Sequence, residues 1–496
     1  MLKILTSTQV KALDEHTIRH EPVASIDLME RACRAFTFWF TARFTTDKKV
    51  GIVCGTGNNG GDGLGIARLL DAQGYDVKIW IVRGSVAERE DFKNNLARIR
   101  GKLPIFEIRT EADQNLFTDR AVLIDAVFGS GLSRPAEGIY AQVIRCINKT
   151  NAVRVAVDIP SGLMADKPSE GAIVQAEYTV SFQLPKLAFM LPHSASFVGE
   201  WQVFDIGLDQ RFIDEAPSPY FLTEPADIRN VLRPRAKFDH KGKFGHALLV
   251  AGSYGKMGAA VLSSRACLRS GAGLVTVHSP VCGYSILQTS VPEAMVSIDE
   301  HEHFFTAVSD LKNYSAIGIG PGIGQDAKTV LAFTRLLEKC DKPILLDADA
   351  LNILSSTREL IHLLPKGSVL TPHPKEFERL VGGWKTDFER LQKQIDFAGK
   401  TGAVVLVKGA HSAIASPDGK VFFNNTGNPG MATGGSGDVL SGVITGLLAQ
   451  GYSGLDSAIT GCWMHGLAGD KASAQLGQTA LIASDITDYL GEAFRI

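Results

Sequence analysis

The residues that most directly suggest chemistry lie late in the chain, in a glycine-rich segment that runs into an apolar helix. The segment reads NNTGNPGMATGGSGD from Asn424 to Asp438 and continues as VLSGVITGLLA. Gly434, Gly435 and Gly437 leave backbone N–H groups bare where a helix begins, and a helix N-terminus attracts anions. Asp438 follows in the first turn, where the helix dipole favours its ionised form. Phosphate donors beside a base are what phosphoryl transfer to a hydroxyl group requires.

Two further segments of the second half offer contacts to a phosphorylated ligand. An apolar strand, AVVLV, is followed by a cation and bare backbone at Lys408, Gly409, Ala410, His411 and Ser412. His373 lies between two prolines in TPHPKEF, so we expect a stiff strand end that presents its imidazole to the ligand; the alternative is a structural histidine. A Walker A loop is absent, because Gly399-Lys400-Thr401 precedes a strand instead of following one.

An earlier glycine loop follows the predicted strand Val50–Cys54 and reads GTGNNGGDG from Gly55 to Gly63. Its first six residues match GxGxxG between a strand and a helix, where this motif binds phosphate. Two details count against an ordinary dinucleotide site. The next strand ends at Arg83 rather than at an acidic residue, and Asp62 would repel a pyrophosphate. The loop therefore predicts a phosphate or nucleotide site, a cation or sugar site, or only a tight turn.

Two aspartates close strands of the same predicted sheet. Asp125 ends the strand in VLIDAVFGSGL, and Asp158 ends the strand in RVAVDIPSGL, after which Pro160–Gly162 form a loop. Because ligands in open α/β sheets bind beyond the carboxyl ends of the strands, we expect Asn59, Asp125 and Asp158 to converge there. The alternative is that each aspartate only caps the helix that follows it.

These residues need parallel strands to position them, and the sequence pattern predicts such strands in each half. In the first half the predicted strands are Val50–Cys54, Val77–Val82, Val122–Ile124 and Val153–Val157, and the predicted helices are Ser25–Phe44, Leu64–Gln73 and Ala87–Arg100. In the second half the predicted strands are His246–Ala251, Leu274–His278, Ala316–Ile319, Ile344–Asp347, Ser368–Leu370 and Val404–Val407. Such alternation of strands and helices is typical of a doubly wound α/β sheet. Four prolines in the polar stretch Asp205–Pro234 predict a domain boundary there.

The composition excludes several classes of protein. The 496 residues include 51 Lys and Arg against 53 Asp and Glu, a net charge of −2 that argues against nucleic-acid or membrane-surface partners. The 7 cysteines are scattered and never spaced as CxxC, which predicts a reducing compartment without a disulfide framework or structural zinc. The first residues lack the apolar core of a signal peptide, and the uncharged run Val439–Leu455 is predicted to be a buried helix. We therefore expect a cytoplasmic protein.

Taken together, the motifs resemble the bifunctional NAD(P)H-hydrate repair enzymes, in which an epimerase domain for hydrated NAD(P)H (NAD(P)HX) precedes an ADP-dependent NAD(P)HX dehydratase domain. Three segments resemble the epimerase half: GNNGGDG, VFGSGL and VDIPSG. Five segments resemble the dehydratase half: HKGKFGHALLVAGS, GIGPGIG, TPHPKEF, VKGAHS and GNPGMATGGSGDVLSG. The resemblance implies an α/β protein of two domains, a Rossmann-like doubly wound sheet in residues 1–213 and a ribokinase-like domain in residues 224–496.

The resemblance also implies the reactions. The first domain would interconvert the R and S epimers of NADHX and NADPHX, and the second would dehydrate the S epimer to NAD(P)H while ADP becomes AMP and phosphate. Asp158 and Asp438 would be the catalytic residues. Potassium would be held in the epimerase domain by Asn59, Asp125 and Ser161, and ADP would enter with Mg²⁺. The partners would be small molecules, with no nucleic acid and no membrane, and we expect a homo-oligomer.

The substrate contacts follow in the same way. In the epimerase domain the hydrate would contact Asn58, Asn59, Gly60, Gly61, Asp62, Gly129, Ser130, Gly131, Leu132, Ser133, Arg134, Pro135 and Asp158. In the dehydratase domain it would contact Ala259, Gly322, His373 and Asp438, and ADP would contact Lys408, Gly409, Ala410, His411, Ser412 and Gly437. Lys375 and Cys33 stand where the family often has glycine, which puts fine substrate contacts in question.

Two rival functions fit parts of the sequence. One is an NADP-linked oxidoreductase in which Arg83 binds a 2′-phosphate, but this function leaves Asp438 without a role. The other is a small-molecule kinase of the ribokinase type fused to a non-catalytic binding module. The products separate them, because a kinase accumulates a phosphorylated compound whereas the repair enzyme regenerates reduced nicotinamide.

Overall fold

The computed structural model describes residues 1–113, 115–308 and 310–496. The chain divides into an N-terminal unit, residues 3–218, and a C-terminal unit, residues 219–496 together with Met1 and Leu2. Each unit is built on one large, mainly parallel β-sheet. The predicted α/β fold class is therefore confirmed.

The N-terminal unit contains seven strands, and every neighbouring pair is parallel. After the short first strand of the chain, β1 (Leu2–Lys3), they are β2 (Val50–Cys54), β3 (Val77–Val82), β4 (Ile105–Ile108), β5 (Val122–Ala126), β6 (Val153–Val157), β7 (Tyr178–Phe182) and β8 (Glu200–Phe204). Their order in the sheet is β4-β3-β2-β5-β6-β7-β8. The chain direction across the sheet reverses between β2 and β5, and ligands bind at such a switch point in open α/β sheets.

Helices cover both faces of this sheet. They are α1 (Ser7–His20), α2 (Ser25–Thr41), α3 (Asn58–Asp71), α4 (Glu90–Ile99), α5 (Gly138–Lys149), α6 (Ala195–Val198) and α7 (Gln210–Glu215). Ile52 of β2 lies in the same apolar cluster as Phe36 of α2, whereas the adjacent Val53 lies in the cluster that contains Ile144 of α5. Because both faces are buried, the strands are continuous apolar runs. The doubly wound arrangement predicted for this half is confirmed.

Helix α3 begins well before its predicted start. It starts at Asn58, so NNGGDG forms its first turns instead of a loop. Glycine has a low helix propensity, but close packing requires glycine at two positions of this helix. A Cβ at Gly60 would lie 1.9 Å from the carbonyl oxygen of Gly55, and one at Gly63 would lie 2.6 Å from the Cβ of Ala126. Tertiary packing of α3 against the sheet therefore overrides the local preference.

The C-terminal unit contains ten further strands. They are β9 (Tyr220–Leu222), β10 (His246–Val250), β11 (Leu274–Ser279), β12 (Met295–Ile298), β13 (Ala316–Ile319), β14 (Ile344–Leu346), β15 (Val369–Leu370), β16 (Val404–Val407), β17 (Ala413–Ala415) and β18 (Val421–Phe423). The sheet order is β1-β9-β18-β17-β16-β15-β14-β13-β10-β11-β12. The strands from β16 to β12 run parallel, whereas β17 is antiparallel to both of its neighbours. All six strands predicted for this half are present, with ends shifted by at most one residue.

Ten helices accompany this sheet in the part of the chain that the structure describes. They are α8 (Pro225–Val231), α9 (Met257–Arg269), α10 (Tyr284–Ser290), α11 (Ala327–Lys339), α12 (Ala348–Ser356), α13 (Pro374–Val381), α14 (Asp387–Thr401), α15 (Ser436–Ala449), α16 (Gly454–Leu476) and α17 (Ala483–Ala493). Every residue of α15 from Val439 to Ala449 is buried, which confirms that part of the predicted buried helix Val439–Leu455. The prediction is wrong beyond Ala449, where α15 ends and residues 450–453 separate it from α16. Among the described residues, no helix combines the length and the apolar character needed to cross a membrane.

Candidate active sites

In the N-terminal unit, the end of β5 and the loop after β6 are joined by a pair of buried polar side chains. The Ser161 hydroxyl donates to Asp125 Oδ1 at 2.6 Å, and the Ser161 N–H donates to Asp125 Oδ2 at 2.7 Å. The N–H of Phe128 donates to Ser161 Oγ at 2.8 Å. Burial raises the pKa of Asp125 to about 6, although the hydrogen bonds from Ser161 lower it. The carboxylate of Asp125 and the hydroxyl group of Ser161 therefore place hard oxygen atoms next to each other at the switch point.

Asn59, in the first turn of α3, lies at the same edge of the sheet because β2 and β5 are neighbours. The residue is 7% exposed, and within the described chain neither its Oδ1 nor its Nδ2 has a hydrogen-bond partner. A Cβ on Gly129 would lie 3.3 Å from the Cβ of Asn59, so the loop after β5 runs directly beside this side chain. An unpaired buried amide is costly, which points to a ligand or ion as its partner.

Asp158 follows β6 in a backbone conformation that is uncommon for a residue with a side chain, with φ at 66°. Its Oδ1 lies 2.6 Å from Lys186 Nζ, and its Oδ2 accepts the N–H of Ser130 at 3.3 Å. Burial raises the pKa of Asp158, but the charge and hydrogen bond of Lys186 outweigh burial and hold it below its usual range. The hydrogen bonds of Asp125 and Asp158 go to loops and to a lysine, so the reading of both aspartates as helix caps is wrong.

Two further carboxyl groups face Asp158. Burial and the charge of Asp158 raise the pKa of Asp14, on α1, to about 6. Burial, followed by the charges of Asp158 and Asp14, raises the pKa of Asp62, on α3, well above its usual range. The site therefore contains one carboxylate that is held ionised, Asp158, and one neighbour whose protonated form is favoured, Asp62. The other neighbour, Asp14, titrates just below neutral pH. Such divergence of pKa values is typical of acid–base sites.

The other predicted contacts of this site lie around the same edge. Asn58 and Gly60 belong to the first turn of α3, where N–H groups have no partner within the helix, whereas the N–H of Gly61 donates to the carbonyl oxygen of Gly57 at 3.1 Å. The loop between β5 and α5, half-buried to exposed, contains Gly129, Ser130, Gly131, Leu132, Ser133, Arg134 and Pro135. This loop adjoins both Asn59 of α3 and Asp158.

Arg83 does not join this site. Its guanidinium donates to Glu107 at 2.8 Å and also to Glu88, so two carboxylates already neutralise it. A 2′-phosphate would have to displace both of them. The oxidoreductase alternative therefore loses the residue on which it depended.

In the C-terminal unit, α15 begins in the glycine-rich segment that the sequence singled out. Gly435 has φ at 90°, and a Cβ there would lie 2.5 Å from Leu262 Cδ1, so conformation and packing both demand glycine. No atom of the described residues lies within 4 Å of a Cβ placed on Gly434. A Cβ on Gly437 would lie 3.4 Å from Lys408 Nζ. The bare helix N-terminus and the lysine ammonium therefore lie side by side, as anion binding requires.

Lys408 is held by a buried aspartate that the sequence analysis did not single out. Asp347, directly after β14, is 1% exposed. Its Oδ1 accepts from Lys408 Nζ at 2.9 Å, and its Oδ2 accepts from the Ser441 hydroxyl of α15 at 2.6 Å. Asp347 therefore ties the lysine to the helix whose N-terminus carries Asp438.

The pKa of Asp438 is raised, although the helix dipole is expected to favour the ionised form of this side chain. Burial, and then the negative charge of Asp347, raise its pKa to about 6, while Lys408 acts in the opposite direction. The carboxylate is still ionised at neutral pH, and a raised pKa makes it a stronger base. Nearby, burial lowers the pKa of His465 to about 4, and one ring nitrogen of this residue, Nε2, lies 3.0 Å from the carbonyl oxygen of Ser436.

The predicted ADP contacts other than Gly437 lie in the connection between β16 and β17. They are Lys408, Gly409, Ala410, His411 and Ser412. The Gly409 N–H donates to Ser412 Oγ at 3.2 Å, which closes the turn. Gly409 and Ala410 are exposed, and burial lowers the pKa of His411. The turn presents its backbone next to the Lys408 ammonium.

His373 has a structural role that the sequence offered only as an alternative. Its Nδ1 accepts the N–H groups of Lys375 and Glu376 and so caps α13. Nε2 therefore carries the proton, and it lies 3.4 Å from Glu376 Oε1. The side chain is 45% exposed, so the ring can cap the helix and still present one edge to a ligand.

The two remaining predicted contacts adjoin each other. A Cβ on Gly322, whose φ is 67°, would lie 3.2 Å from the Cβ of Ala259. The Ser253 hydroxyl donates to the carbonyl oxygen of Gly322 at 2.6 Å, which fixes the end of β13 to the end of β10. These residues line the carboxyl edge of the sheet.

Sequence reasoning missed Asp347, Lys186 and Asp14. Asp347 ends a predicted strand just as Asp125 and Asp158 do, so the same rule would have found it. Lys186 is a lone charge in the apolar run FQLPKLAFML, which is itself a signal. Asp14 lies on an amphipathic helix with other charged residues, and nothing in its local sequence distinguishes it.

Family models match both halves of the chain. The model described as NAD(P)H-hydrate dehydratase matches residues 247–491, and the model described as YjeF-related protein N-terminus matches residues 25–188. Among solved structures, a ribokinase-like superfamily protein from Enterococcus faecalis is 27% identical with a TM-score of 0.50, covering 56% of this chain and 96% of its own. This match supports the predicted ribokinase-like fold.

Full-length relatives resemble the whole chain. The bifunctional NAD(P)H-hydrate repair enzyme of Moorella thermoacetica is 37% identical over 513 residues, which cover 99% of this chain and 96% of the relative. The enzyme of Thermofilum pendens is 34% identical, and the match covers 100% of this chain and 96% of the relative. The enzyme of Escherichia coli is also 34% identical, and the match covers 88% of this chain and 84% of the relative. The predicted resemblance is confirmed, and the chain belongs to the family of bifunctional NAD(P)H-hydrate repair enzymes.

Proposed function

We propose that this chain repairs hydrated NADH and NADPH: the N-terminal unit epimerises R- and S-NAD(P)HX, and the C-terminal unit dehydrates the S epimer with ADP. One observation carries the proposal. At the start of α15 a carboxylate, a bare helix N-terminus and an ammonium group are held together, since Lys408 Nζ lies 3.4 Å from where Gly437 would have a side chain. Family membership supports a dual function, because the relatives are named bifunctional NAD(P)H-hydrate repair enzymes, and the model that matches residues 247–491 is described as NAD(P)H-hydrate dehydratase.

In the proposed dehydration, Asp438 accepts the proton of the C6 hydroxyl as that oxygen attacks the β-phosphorus of ADP. The P–O bond to AMP breaks, and the N–H groups at the start of α15 together with Lys408 stabilise the phosphoryl oxygens. The C6–O bond then breaks with its electron pair leaving on phosphate, assisted by the ring nitrogen lone pair. Loss of a C5 proton restores NAD(P)H. AMP and phosphate are the products, and Mg²⁺ enters as part of the ADP co-substrate.

In the proposed epimerisation, Asp158 accepts the proton of the C6 hydroxyl as the C6–N1 bond breaks, its electron pair passing to N1 while the C6–O group becomes an aldehyde. Asp62, whose protonated form is favoured by burial and by neighbouring carboxylates, is suited to donate a proton to N1. Rotation about the C5–C6 bond exposes the other face of the aldehyde; N1 then attacks C6 again as both protons return, which gives the other epimer. The position of Asp158 supports this role, because Oδ2 accepts a hydrogen bond from Ser130 in the loop proposed to contact the hydrate, and its low pKa keeps it ionised and able to accept a proton.

Potassium is the proposed cation of the epimerase half, and the residues fit it. Asn59 offers a buried amide oxygen without a partner among the described residues, and Asp125 and Ser161 add a carboxylate and a hydroxyl group. One carboxylate with neutral oxygens suits a monovalent cation better than Mg²⁺, which demands tight octahedral geometry. When bound, K⁺ would supply a positive charge that favours ionised Asp125 and links α3 to the loop after β6. Exchange of potassium for a bulky organic cation should slow epimerisation, and an unchanged rate would refute the site.

The cellular setting belongs to the same proposal. All seven cysteines are free, which supports the reducing environment of the cytoplasm. The substrates are small molecules, and we propose no nucleic-acid or membrane partner. The homo-oligomer expected from the resemblance stays a prediction.

The direct test is incubation of the purified chain with S-NADHX, with and without ADP. We expect NADH, AMP and phosphate in equal amounts, and no reaction without a nucleotide. The rival ribokinase-type kinase would instead accumulate a phosphorylated compound with no gain of NADH absorbance. Phosphorylated product without NADH would therefore reject the dehydratase in favour of the kinase.

A further inference from the structure

Lys186 is the most thoroughly buried ammonium group of the N-terminal site, and nothing in the reaction proposed above uses it. The residue is 2% exposed. Its Nζ lies 2.6 Å from Asp158 Oδ1, 2.8 Å from Ser181 Oγ, 3.2 Å from the carbonyl oxygen of Leu184 and 3.4 Å from that of Phe182. Four acceptors thus surround the three hydrogens of the ammonium group. Lys186 therefore has no donor left for a substrate and can act only through its neighbours.

The lysine fixes which oxygen of Asp158 faces the opening. Oδ1 is held by Lys186 and also accepts from the Ser181 hydroxyl at 3.3 Å, whereas Oδ2 points to the N–H of Ser130. We propose that Lys186 is a positioning residue of the epimerase, which keeps Asp158 ionised and keeps Oδ2 directed toward the loop proposed to contact the hydrate. This inference rests on the proposed epimerisation.

The backbone around this ion pair supports the proposal. Asp158, after β6, and Gln183, after β7, both have positive φ, at 66° and 58°. Such strain in residues with side chains persists where the surroundings impose it, and it is concentrated at functional sites. Gln183 Oε1 accepts the N–H groups of Ile206 and Leu208, which holds the second strained turn. The Lys186–Asp158 pair bridges the two turns.

The charges around the pair explain why a lysine is needed. Asp158, Asp14 on α1 and Asp62 on α3 interact electrostatically, and the positive charge of Lys186 lowers the pKa of both Asp158 and Asp14. Without the ammonium, burial would favour protonated Asp158. With it, Asp158 stays ionised while Asp62 favours its protonated form. The lysine thus makes Asp158, rather than Asp62, the base.

The test compares the pH dependence of epimerisation in variants with and without the charge. Lys186→Met and Lys186→Gln remove it, and Gln can still donate hydrogen bonds if Met prevents folding. We expect the acidic limb of the kcat profile to move up by at least about one pH unit. At neutral pH kcat should fall by about 10-fold or more, with little change in KM. Lys186→Arg keeps the charge, so its acidic limb should lie at the same pH as that of the wild-type protein.

The controls separate this effect from misfolding and from general charge effects. Lys48→Gln removes the same charge from an exposed ion pair with Asp47 and should leave the profile unchanged. Dehydration of S-NADHX, measured on each preparation, should be normal. A limb that stays in place in both neutral variants, or that moves equally in Lys186→Arg, would overturn the positioning role alone. A wild-type chain without epimerisation would overturn the proposed function as well.

Discussion

Each of the two candidate sites contains a buried aspartate whose pKa is shifted by a charged neighbour as well as by burial, and the two neighbours have opposite signs. Lys186 counteracts burial at Asp158, so this pKa lies below its usual range. At Asp438, burial and the negative charge of Asp347 raise the pKa to about 6. A buried carboxylate beside an ammonium stays ionised through the physiological range, whereas one beside another carboxylate titrates close to it. The two units thus obtain different acid–base behaviour from the same residue type.

Asp158→Asn should abolish most epimerisation. The amide preserves volume but cannot accept the proton, so we expect a loss of about 10²–10⁴-fold, the usual contribution of a general acid–base group. ADP-dependent dehydration of the S epimer on the same preparation is the folding control and should persist. Epimerisation at the wild-type rate would remove Asp158 from the mechanism.

Asp438→Asn should lower dehydration by about 10²-fold or more for the same reason. ADP affinity, measured by calorimetry, should change little because Lys408 and backbone N–H groups carry the phosphate contacts. Epimerisation should be unaffected. If ADP binding were lost together with turnover, Asp438 would be a binding residue rather than the base.

The pH profile of dehydration should reflect the pKa of Asp438. The base must be ionised, so kcat should fall as the pH drops below about 6. Asp347 raises that pKa by its charge, so Asp347→Asn should shift the acidic limb to lower pH. The same substitution releases Lys408, so the plateau rate should also fall. A limb that moves upward in this variant would contradict the assigned coupling.

At the level of elements, the sequence predicted the core strands well because each is buried on both faces. Continuous apolar runs such as Val50–Cys54 and Val404–Val407 carry their signal locally, and both have the predicted ends. The strands β17 and β18, which the sequence did not predict, have three residues each, too few to establish a period. The edge strand β12 and strand β9, which lies next to the edge strand β1, are partly exposed and therefore lack a continuous apolar run. Their pairing depends on neighbours distant in sequence.

The start of α3 shows why a motif can be found while its conformation is misjudged. Glycine-rich sequence indicates a loop by propensity, yet Gly60 is helical because α3 packs against the Gly55 carbonyl group. Part of the GxGxxG pattern therefore serves packing, whatever it binds. The sequence predicted that Asn59, Asp125 and Asp158 lie near one another at the switch point. It could not predict the ion pair of Asp158 with Lys186, because that pair depends on a contact between loops that follow different strands.

Because α3 packs closely against the Gly55 carbonyl group, alanine substitutions at two glycines of the same motif should have unequal effects on stability. Gly60→Ala would place a Cβ 1.9 Å from a backbone oxygen, so α3 must shift, and we expect a loss of about 1–3 kcal/mol in stability and impaired epimerisation. Gly57→Ala is the matched control, because no described atom lies within 4 Å of its Cβ position. Thermal unfolding of the full chain compares the two variants, with dehydration as the check on the C-terminal unit. Equal destabilisation would contradict the packing role.

At the level of the whole molecule, two sites with separate acid–base groups lie in two units of one chain. Hydration of NAD(P)H at C6 can give either epimer, and the proposed dehydratase accepts only one. A chain with both activities can therefore recover the whole hydrate pool. Because the proposed base of each reaction lies in a different unit, inactivating one unit should leave the other active, and two singly inactivated chains should together perform the complete repair.

The most direct test of this account is recovery of NADH from pure R-NADHX in the presence of ADP. We expect the wild-type chain to recover NADH. Asp158→Asn alone should form NADH no faster than spontaneous epimerisation supplies the S epimer, and Asp438→Asn alone should not recover it. An equimolar mixture of the two variants should restore recovery, because one supplies the epimerase and the other the dehydratase. Failure of the mixture although both variants are folded, or recovery by Asp438→Asn alone, would contradict the assignment of one reaction to each unit.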